Sequence, residues 1–262
     1  MMQPLLGPDD GPAFEVVNEQ GKGSCFLSCD HASRAVPKCL DKLGVSDASL
    51  GLHIGWDIGA AAVTRHLVEA LDAPALLAGY SRLVIDVNRD LDNATSMPEV
   101  SDHIPVPGNQ GLSAEARQQR IDALFLPYHR EMKRLLQGFA ARGVVPLFLS
   151  IHSFTPVMDG FVRPWHIGIL WDQDPRLARP LIEDLSRDKS LVVGDNEPYS
   201  AREPAGFTVP MHAEEKGLPH VGIEIRQDLI ADAAGAREWG ERLAAAFKAL
   251  DARPELHRIE HF

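Results

Sequence analysis

The sequence predicts a single α/β domain with a mixed, largely parallel sheet flanked by helices. Short, nearly continuous apolar runs that stop at polar residues are typical of buried strands in such a sheet. Segments with apolar residues at helical spacing lie between these runs. The expected domain covers residues 1–262, with the Pro-, Gly- and Asp-rich residues 1–22 as a surface lead-in. A chain of this length is enough for one large domain with a substantial core.

Composition narrows the class of protein. The chain is 45% hydrophobic and 24% charged, which are ordinary globular values. Its formal net charge of −11 argues against nonspecific binding to nucleic acid or to an anionic membrane. It does not exclude a small acidic substrate, because a site can be locally positive. We see no signal peptide and no apolar run of the roughly 20 residues that span a bilayer, so we expect a soluble cytoplasmic protein.

The cysteines do not indicate a redox or thiol site. Cys25 and Cys29 lie on one face of a predicted strand, and Cys39 follows in a loop. We expect all three to be small buried residues in a reducing compartment.

The first half of the chain predicts a strand, a helix and two extended segments. Residues 24–29 form the strand, which ends at Asp30 and His31. Asp57 is suited to cap the helix that ends near Ala73. Extended segments follow at residues 75–80 and 83–87, and the second leads into Asn88 and Arg89. The polar loop at residues 91–112 is long for a connection, and such loops often form lids or site walls.

The second half predicts more helices and the central strand. Ser113 caps a long amphipathic helix that Pro127 is expected to kink, and His129 borders its apolar stripe as a structural residue. The central strand, residues 144–154, ends at His152 and Ser153. The remaining predicted elements are extended segments at 167–171, 191–193 and 219–228, helices at 175–187, 212–217 and 236–250, and a wall loop at 194–210.

Polar side chains recur where the predicted strands end. In open α/β sheets, ligands bind beyond the carboxyl ends of the strands. A metal hydrolase needs neutral imidazoles or carboxylates to hold the ion, a carboxylate to move the proton, and a guanidinium to hold a substrate carboxylate. Glu224 lies between Ile223 and Ile225, where a carboxylate is costly unless it is paired or functional. Arg226 shares its strand face, so an ion pair between the two is the alternative.

Five sequence blocks together resemble the N-formylglutamate amidohydrolase family. They are DHASRAVP at 30–37, WDIGA at 56–60, YSRLVIDVNR at 80–89, IHSF at 151–154 and IEIRQD at 223–228. That family is itself similar in fold to zinc carboxypeptidases and aspartoacylases, a phosphorylase/hydrolase-like fold. The resemblance implies that His31 and His152 bind a divalent metal, most simply Zn²⁺. It also implies that Asn88 and Arg89 hold the substrate carboxylate and that Glu224 is the general base and acid.

The chain departs from this pattern at one metal ligand. The carboxypeptidase-like pattern has a carboxylate three residues after the first histidine, where this chain has Arg34. Asp57 is the preferred substitute, with a plain helix cap as its alternative role; Asp30 and His53 are weaker substitutes.

Three arginines and a histidine are further candidates for contact with the substrate. Arg82 and Arg226 are candidates for a second substrate carboxylate, and Arg34 or Arg82 for the oxyanion. His212 is a candidate for contact with the tetrahedral intermediate, with helix capping or surface solvation as its alternative role. The expected reaction converts N-formyl-L-glutamate to formate and L-glutamate. The alternatives are another N-acyl amino acid or a short peptide as substrate, or a metal-free binding protein for an acidic ligand. We expect no nucleic-acid or membrane partner.

Overall fold

The fold is built around a seven-stranded mixed sheet. The computed structural model describes residues 4–202 and 206–262. The strands of the sheet are β1 (Phe14–Val17), β2 (Cys25–Cys29), β3 (Ala75–Ala78), β6 (Leu147–Phe154), β9 (Ile167–Leu170), β10 (Val193–Asp195) and β11 (His220–Arg226). They lie in the order β1-β3-β2-β6-β11-β9-β10 across the sheet. Strands β3, β2, β6 and β11 run parallel to one another, whereas β1 at one edge and the β9–β10 pair at the other run opposite to them.

Two small hairpins lie outside this sheet. The first pairs β4 (Val100–Ser101) with β5 (Ile104–Pro105), and the second pairs β7 (Val157–Met158) with β8 (Phe161–Val162).

Helices cover both faces of the sheet. The helices are α1 (Asp47–Leu50), α2 (Ala60–Leu71), α3 (Ala114–Arg120), α4 (Leu126–Ala141), α5 (Ala178–Leu185), α6 (Thr208–His212) and α7 (Ala233–Asp251). Residues of α2, α5 and α7 form a first apolar cluster with β2, β6 and β11 on one face of the sheet. Residues of α4 form a second apolar cluster on the other face with Phe26, Leu76 and Phe148. The predicted fold class, a mostly parallel α/β sheet flanked by helices, is confirmed.

The side chains of β6 alternate between the two faces of the sheet. Leu147, Leu149 and Ile151 point into the first apolar cluster. Because successive side chains of a strand point to opposite faces, Ser150 and His152 share the other face with Phe148. Ser150 and His152 therefore place polar groups next to the second apolar cluster, near the carboxyl end of β6.

The long helix begins as predicted and then deviates before its proline. The Ser113 side chain accepts a hydrogen bond from the Ala116 N–H, which caps α3. A π-helical turn at Ile121–Phe125 joins α3 to α4, and Pro127 lies in the first turn of α4. The missing N–H and the bulk of Pro127 are thus accommodated by the wider turn that precedes it.

Two expectations about secondary structure are wrong. Residues 83–87 form turns instead of an extended segment, because other parts of the chain take their backbone hydrogen bonds: Arg120 donates to the Val84 carbonyl, and the Asp86 N–H donates to Ser96. Part of the expected surface lead-in is the edge strand β1, which pairs with β3. Met1, Met2 and Gln3 of that lead-in lie outside the described residues.

Two of the three cysteines are buried. Cys25 and Cys29 are buried as expected, but Cys39 is exposed, with its thiol 3.1 Å from the Leu5 carbonyl. Within residues 4–202 and 206–262, no helix is both long enough and apolar enough to cross a membrane.

Candidate active site

A cavity of about 640 Å³ opens where the parallel strands end. His31 follows β2, Arg82 and Asp86 follow β3, His152 lies near the end of β6, and Glu224 near the end of β11. All five line the cavity. The tips of both small hairpins and the loop around Tyr199 form other parts of its wall. The predicted meeting of polar strand ends is therefore present in the fold.

His31, Asp57 and His152 form a buried cluster in this cavity. The Asp57 Oδ2 atom lies 3.2 Å from His31 Nδ1 and 2.8 Å from His152 Nδ1. The ligand atoms of the three side chains lie within 4.8 Å of one another. Asp57 does not cap α2: Gly59, with a φ of 82°, is the N-cap residue, so the Asp57 carboxylate is free to face the histidines. The helix-cap role considered for Asp57 is therefore excluded.

The cluster fits a divalent metal. Two ligands of a tetrahedral Zn²⁺, each about 2.0–2.2 Å from the ion, lie about 3.3 Å apart. The observed separations of 3.2 and 2.8 Å are within about half an ångström of that value. In both histidines Nδ1 faces the cluster while Nε2 contacts other groups, so Nδ1 is the nitrogen available for a metal. The three side chains are thus a candidate metal-binding triad.

Neighbouring side chains hold both imidazoles in place. The His31 Nε2 atom lies 2.7 Å from Asp86 Oδ1, and His152 Nε2 lies 3.0 Å from the Ser150 hydroxyl. Partners of this kind set the tautomer and orientation of metal-binding histidines. His31 and His152 keep the pKa of the Asp57 carboxyl below its ordinary value although burial opposes its ionisation. Arg82 and His31 do the same for the pKa of Asp86.

Glu224 lies beside this cluster, and it forms no ion pair with any residue in the described part of the chain. It is 8% exposed, and its Oε2 atom has no hydrogen-bond partner in the described part of the chain. Burial raises the pKa of Glu224 to about 7, although the nearby His152 acts in the opposite direction. A carboxylic acid with a pKa near neutrality can both accept and return a proton.

Asn88 and Arg89 also line the cavity. The Asn88 Oδ1 atom accepts hydrogen bonds from the backbone N–H groups of Phe207 and Thr208, at 2.8 and 3.0 Å. This orients the Asn88 side chain against the loop that leads into α6. Arg89 donates to the Asn88 carbonyl at 3.0 Å. No carboxylate among the residues described is within ion-pair distance of the Arg89 guanidinium, which leaves it able to bind an anion.

Arg82 lines the same cavity but is already engaged. Its Nε and Nη2 atoms donate to Asp86 Oδ2 at 3.1 and 2.8 Å, and Nη1 is 3.6 Å from Asp57 Oδ1. The guanidinium thus neutralises the carboxylates that surround the histidines. It is placed to support the cluster and to present one edge to the cavity.

Two predicted substrate-binding residues do not line the cavity. Arg226 pairs with Asp228 at 2.8 Å and not with Glu224. It follows the last buried residue of β11, and its guanidinium also donates to the Trp165 carbonyl, outside the cavity. His212 lies behind the wall, with its Nε2 atom 2.9 Å from His129 Nδ1. His212 is 8% exposed and its ring stacks on that of His129, so it is buried within the wall and is not solvated at the surface as its alternative role supposed.

The other candidate ligands and the oxyanion candidate Arg34 are also displaced from the triad. Asp30 accepts a hydrogen bond from the Tyr128 hydroxyl at 2.6 Å, with its second oxygen 3.6 Å from His152 Nε2. His53 lines the cavity but pairs with Asp102 at 3.3 Å. Arg34 is exposed over the Trp56 ring.

Sequence reasoning missed Asp86 and Arg163. Asp86 stands in an apolar run, Leu83–Val87, in the same way as Glu224 stands in β11, and that buried carboxylate was the available signal. Arg163 directly follows the exposed hairpin residues Phe161 and Val162, which gave no sign of a buried position. Only its tertiary contacts, such as the hydrogen bond to the Tyr199 hydroxyl at 3.0 Å, distinguish it.

The chain is similar to known proteins along most of its length. The model of the N-formylglutamate amidohydrolase family matches residues 23–231. The crystal structure of gene product Atu2144 from Agrobacterium tumefaciens is 36% identical and has a TM-score of 0.91, over 94% of this chain and 97% of that one. N-formylglutamate amidohydrolase from Ralstonia eutropha JMP134 shares the fold, with 19% identity and a TM-score of 0.67 over 91% and 95% of the two chains. Among curated proteins, no match was found.

Proposed function

The chain belongs to the N-formylglutamate amidohydrolase family, and from this membership we propose that it hydrolyses the amide of an N-acyl amino acid, with N-formyl-L-glutamate as the expected substrate. The observation that carries the proposal is the position of Glu224, buried next to the His31–Asp57–His152 triad in one cavity with Arg89. Proton transfer, metal binding and carboxylate binding are the three functions that a metal-dependent amidohydrolase acting on an acidic substrate uses.

In this proposal His31, Asp57 and His152 hold a divalent metal, most simply Zn²⁺. When bound, such an ion polarises the scissile carbonyl and lowers the pKa of a water molecule toward neutrality. Asp86 and Ser150 keep the two imidazoles oriented with Nδ1 toward the ion.

Glu224 moves the proton. With a pKa near 7, its carboxylate accepts the proton of the attacking water and returns it to the leaving nitrogen. Its free Oε2 atom is available for this exchange, because no neighbouring donor in residues 4–202 and 206–262 occupies it.

Arg89 and Asn88 bind the substrate carboxylate. The Arg89 guanidinium offers the geometry that suits a carboxylate and has no competing acid in the described part of the chain. With Asn88 Oδ1 taken by backbone N–H groups, its amide N–H₂ is left to donate to the substrate.

A metal-free binding protein is the rival from another class. Its main support was Arg34 in place of a carboxylate ligand. Asp57 provides a carboxylate beside both histidines, so the departure at position 34 no longer favours that rival.

Formate release from N-formyl-L-glutamate, by purified protein supplied with zinc, tests the proposal. We expect release that a chelator abolishes and that added zinc restores. Folded, zinc-loaded protein that cleaves neither this compound nor other N-acyl amino acids would overturn the proposed activity. Release that resists the chelator would overturn the metal role alone.

A further inference from the structure

We propose that Arg163, acting with the Tyr199 hydroxyl, forms a second anion-binding subsite that selects substrates with a second acidic group. This inference rests on the proposed function, because it assigns the part of the substrate that Arg89 does not bind. It transfers to Arg163 the role that the sequence suggested for Arg226.

Arg163 is a buried cation without an acidic partner. It is 7% exposed, and no carboxylate within the described ranges approaches it to ion-pair distance. Its Nη1 atom donates to the Thr155 hydroxyl at 3.2 Å and to the Tyr199 hydroxyl at 3.0 Å. Burying an unpaired charge is costly, and neutral oxygens compensate for it only in part. A bound anion would supply the missing counter-charge.

The guanidinium lies directly behind the cavity wall. Its carbon is 5.8 Å from the Phe154 ring centroid and 4.9 Å from that of Tyr199. Phe154, Thr155 and Tyr199 all line the cavity. Burial lowers the pKa of His53, another lining residue, and the charge of Arg163 acts in the same direction. The positive potential of Arg163 therefore reaches the space in which substrate binds.

Tyr199 connects this charge with the substrate. Its oxygen accepts a hydrogen bond from Arg163, so its own O–H is free to donate elsewhere. A hydroxyl that accepts from a cation is polarised and becomes a better donor toward an anion. The Tyr199 side chain reaches the cavity with one edge in solvent, being 39% exposed, so a ligand can reach it.

Acidic side chains at the cavity mouth reduce the positive potential of Arg163 only weakly. Asp102 and Asp159 are 33% and 72% exposed and already contact His53 and His103. Exposed charges are screened by water and salt, whereas a charge buried beneath the wall is screened much less. Glu214 and Asp172 also line the cavity and have no Arg or Lys partner among the residues described. At Tyr199 itself the negative charge of Glu224 acts against a bound anion, whereas the charge of Arg163, its hydrogen bond to the hydroxyl and the charge of Arg82 act in favour of one.

A matched pair of substrates tests the subsite. N-formyl-L-glutamate and N-formyl-L-glutamine have nearly the same shape but differ in the charge of the side chain. A charge-assisted hydrogen bond favours the charged partner, so we expect kcat/KM for the glutamate compound to be about 10- to 100-fold higher. Arg163→Gln should remove most of that preference, and Arg163→Lys should restore part of it.

Two further variants separate selectivity from folding. Tyr199→Phe removes one hydroxyl from a partly exposed ring and should reduce the preference without unfolding the protein. Arg179→Gln is the matched control, because Arg179 is an exposed cation stacked on the cavity residue Trp171, and it should leave the preference unchanged.

Equal kcat/KM for the two substrates in the wild type would overturn the subsite while leaving the amidohydrolase intact. An equal loss for both substrates in Arg163→Gln and Tyr199→Phe would do the same. If neither amide is cleaved, the proposed function fails, and calorimetric binding of the two compounds still decides the subsite. Tighter binding of the glutamate compound that depends on Arg163 would support it, and equal binding would overturn it.

Discussion

Glu224 and His152 are direct partners across the adjacent parallel strands β11 and β6. Because paired residues in register point to the same face of a sheet, the carboxylate and the imidazole both enter the cavity. The same register pairs Gly222 with Ser150, which leaves the floor between the two strands free of a bulky side chain. The rigid sheet, and not a loop, therefore sets the distance between Glu224, the proposed proton-transfer group, and His152, a proposed metal ligand.

Replacement of Glu224 by Gln tests that arrangement. We expect kcat to fall by roughly 100-fold or more, because Gln keeps the shape but cannot accept the proton. Zinc content and affinity for substrate should remain near the wild-type values, since neither requires this proton transfer. Steady-state kinetics with metal analysis measures both, and near-wild-type turnover would show that Glu224 has another role.

Replacement of Arg89 by Ala tests carboxylate binding. The variant should raise KM by about 10-fold or more, because a charge-assisted hydrogen bond is lost. Arg226→Ala is the matched control: Arg226 pairs with Asp228 outside the cavity, so KM should change little. The reverse pattern, with KM dependent on Arg226, would contradict the assignment drawn from the cavity.

Replacement of Asp57 by Asn tests the metal triad. We expect zinc affinity to fall by at least about 10-fold, because an anionic ligand between two imidazoles is lost. His103→Ala is the control, since His103 belongs to an exposed group with Asp102 and Asp159 that could also attract a cation. Competition with a chromogenic chelator measures both affinities. Zinc binding that follows His103 instead of Asp57 would place the metal at the hairpin tips.

Acid stability should depend on His129 and His212, which stack 5.1 Å apart. Burial is the main reason that the pKa of each imidazole is about 4, against an ordinary value of 6.5. Between these values the unfolded chain binds more protons than the native one. The free energy of unfolding should therefore fall as pH falls from 6.5 toward 4, by up to about 1.4 kcal/mol per pH unit for each histidine.

The comparison of wild type with His212→Gln isolates this contribution. Denaturant unfolding in chelator-containing buffers, from about pH 7.5 to about pH 5, gives the slope for each protein. Titration of the metal-site histidines affects both proteins alike and cancels in the difference. We expect a shallower slope for the variant, and parallel slopes would exclude His212 as a source of the acid sensitivity.

Much of the site was predictable from local patterns. Strand periodicity assigns Ser150 and His152 to one face, and an isolated carboxylate between Ile223 and Ile225 marks Glu224 as unusual. The same argument was available for Asp86 but pointed to a strand that does not exist, because Arg120 and Ser96 bind the backbone around it. Local sequence indicates that a residue is special without indicating its partner.

The amino-acid sequence by itself determined the α/β class, the apolar strands and the polar residues at their ends, since these depend on periodicities of two and 3.6 residues. Only the tertiary structure decided that Asp57 faces His31 and His152 instead of capping a helix and that Arg226 pairs with Asp228. It also decided that Arg163 lies behind Tyr199 with no acidic partner among the described residues. These outcomes depend on which side chains meet across large separations in the chain. Long-range pairing of charges is set by the packing of the sheet, and no local pattern encodes it.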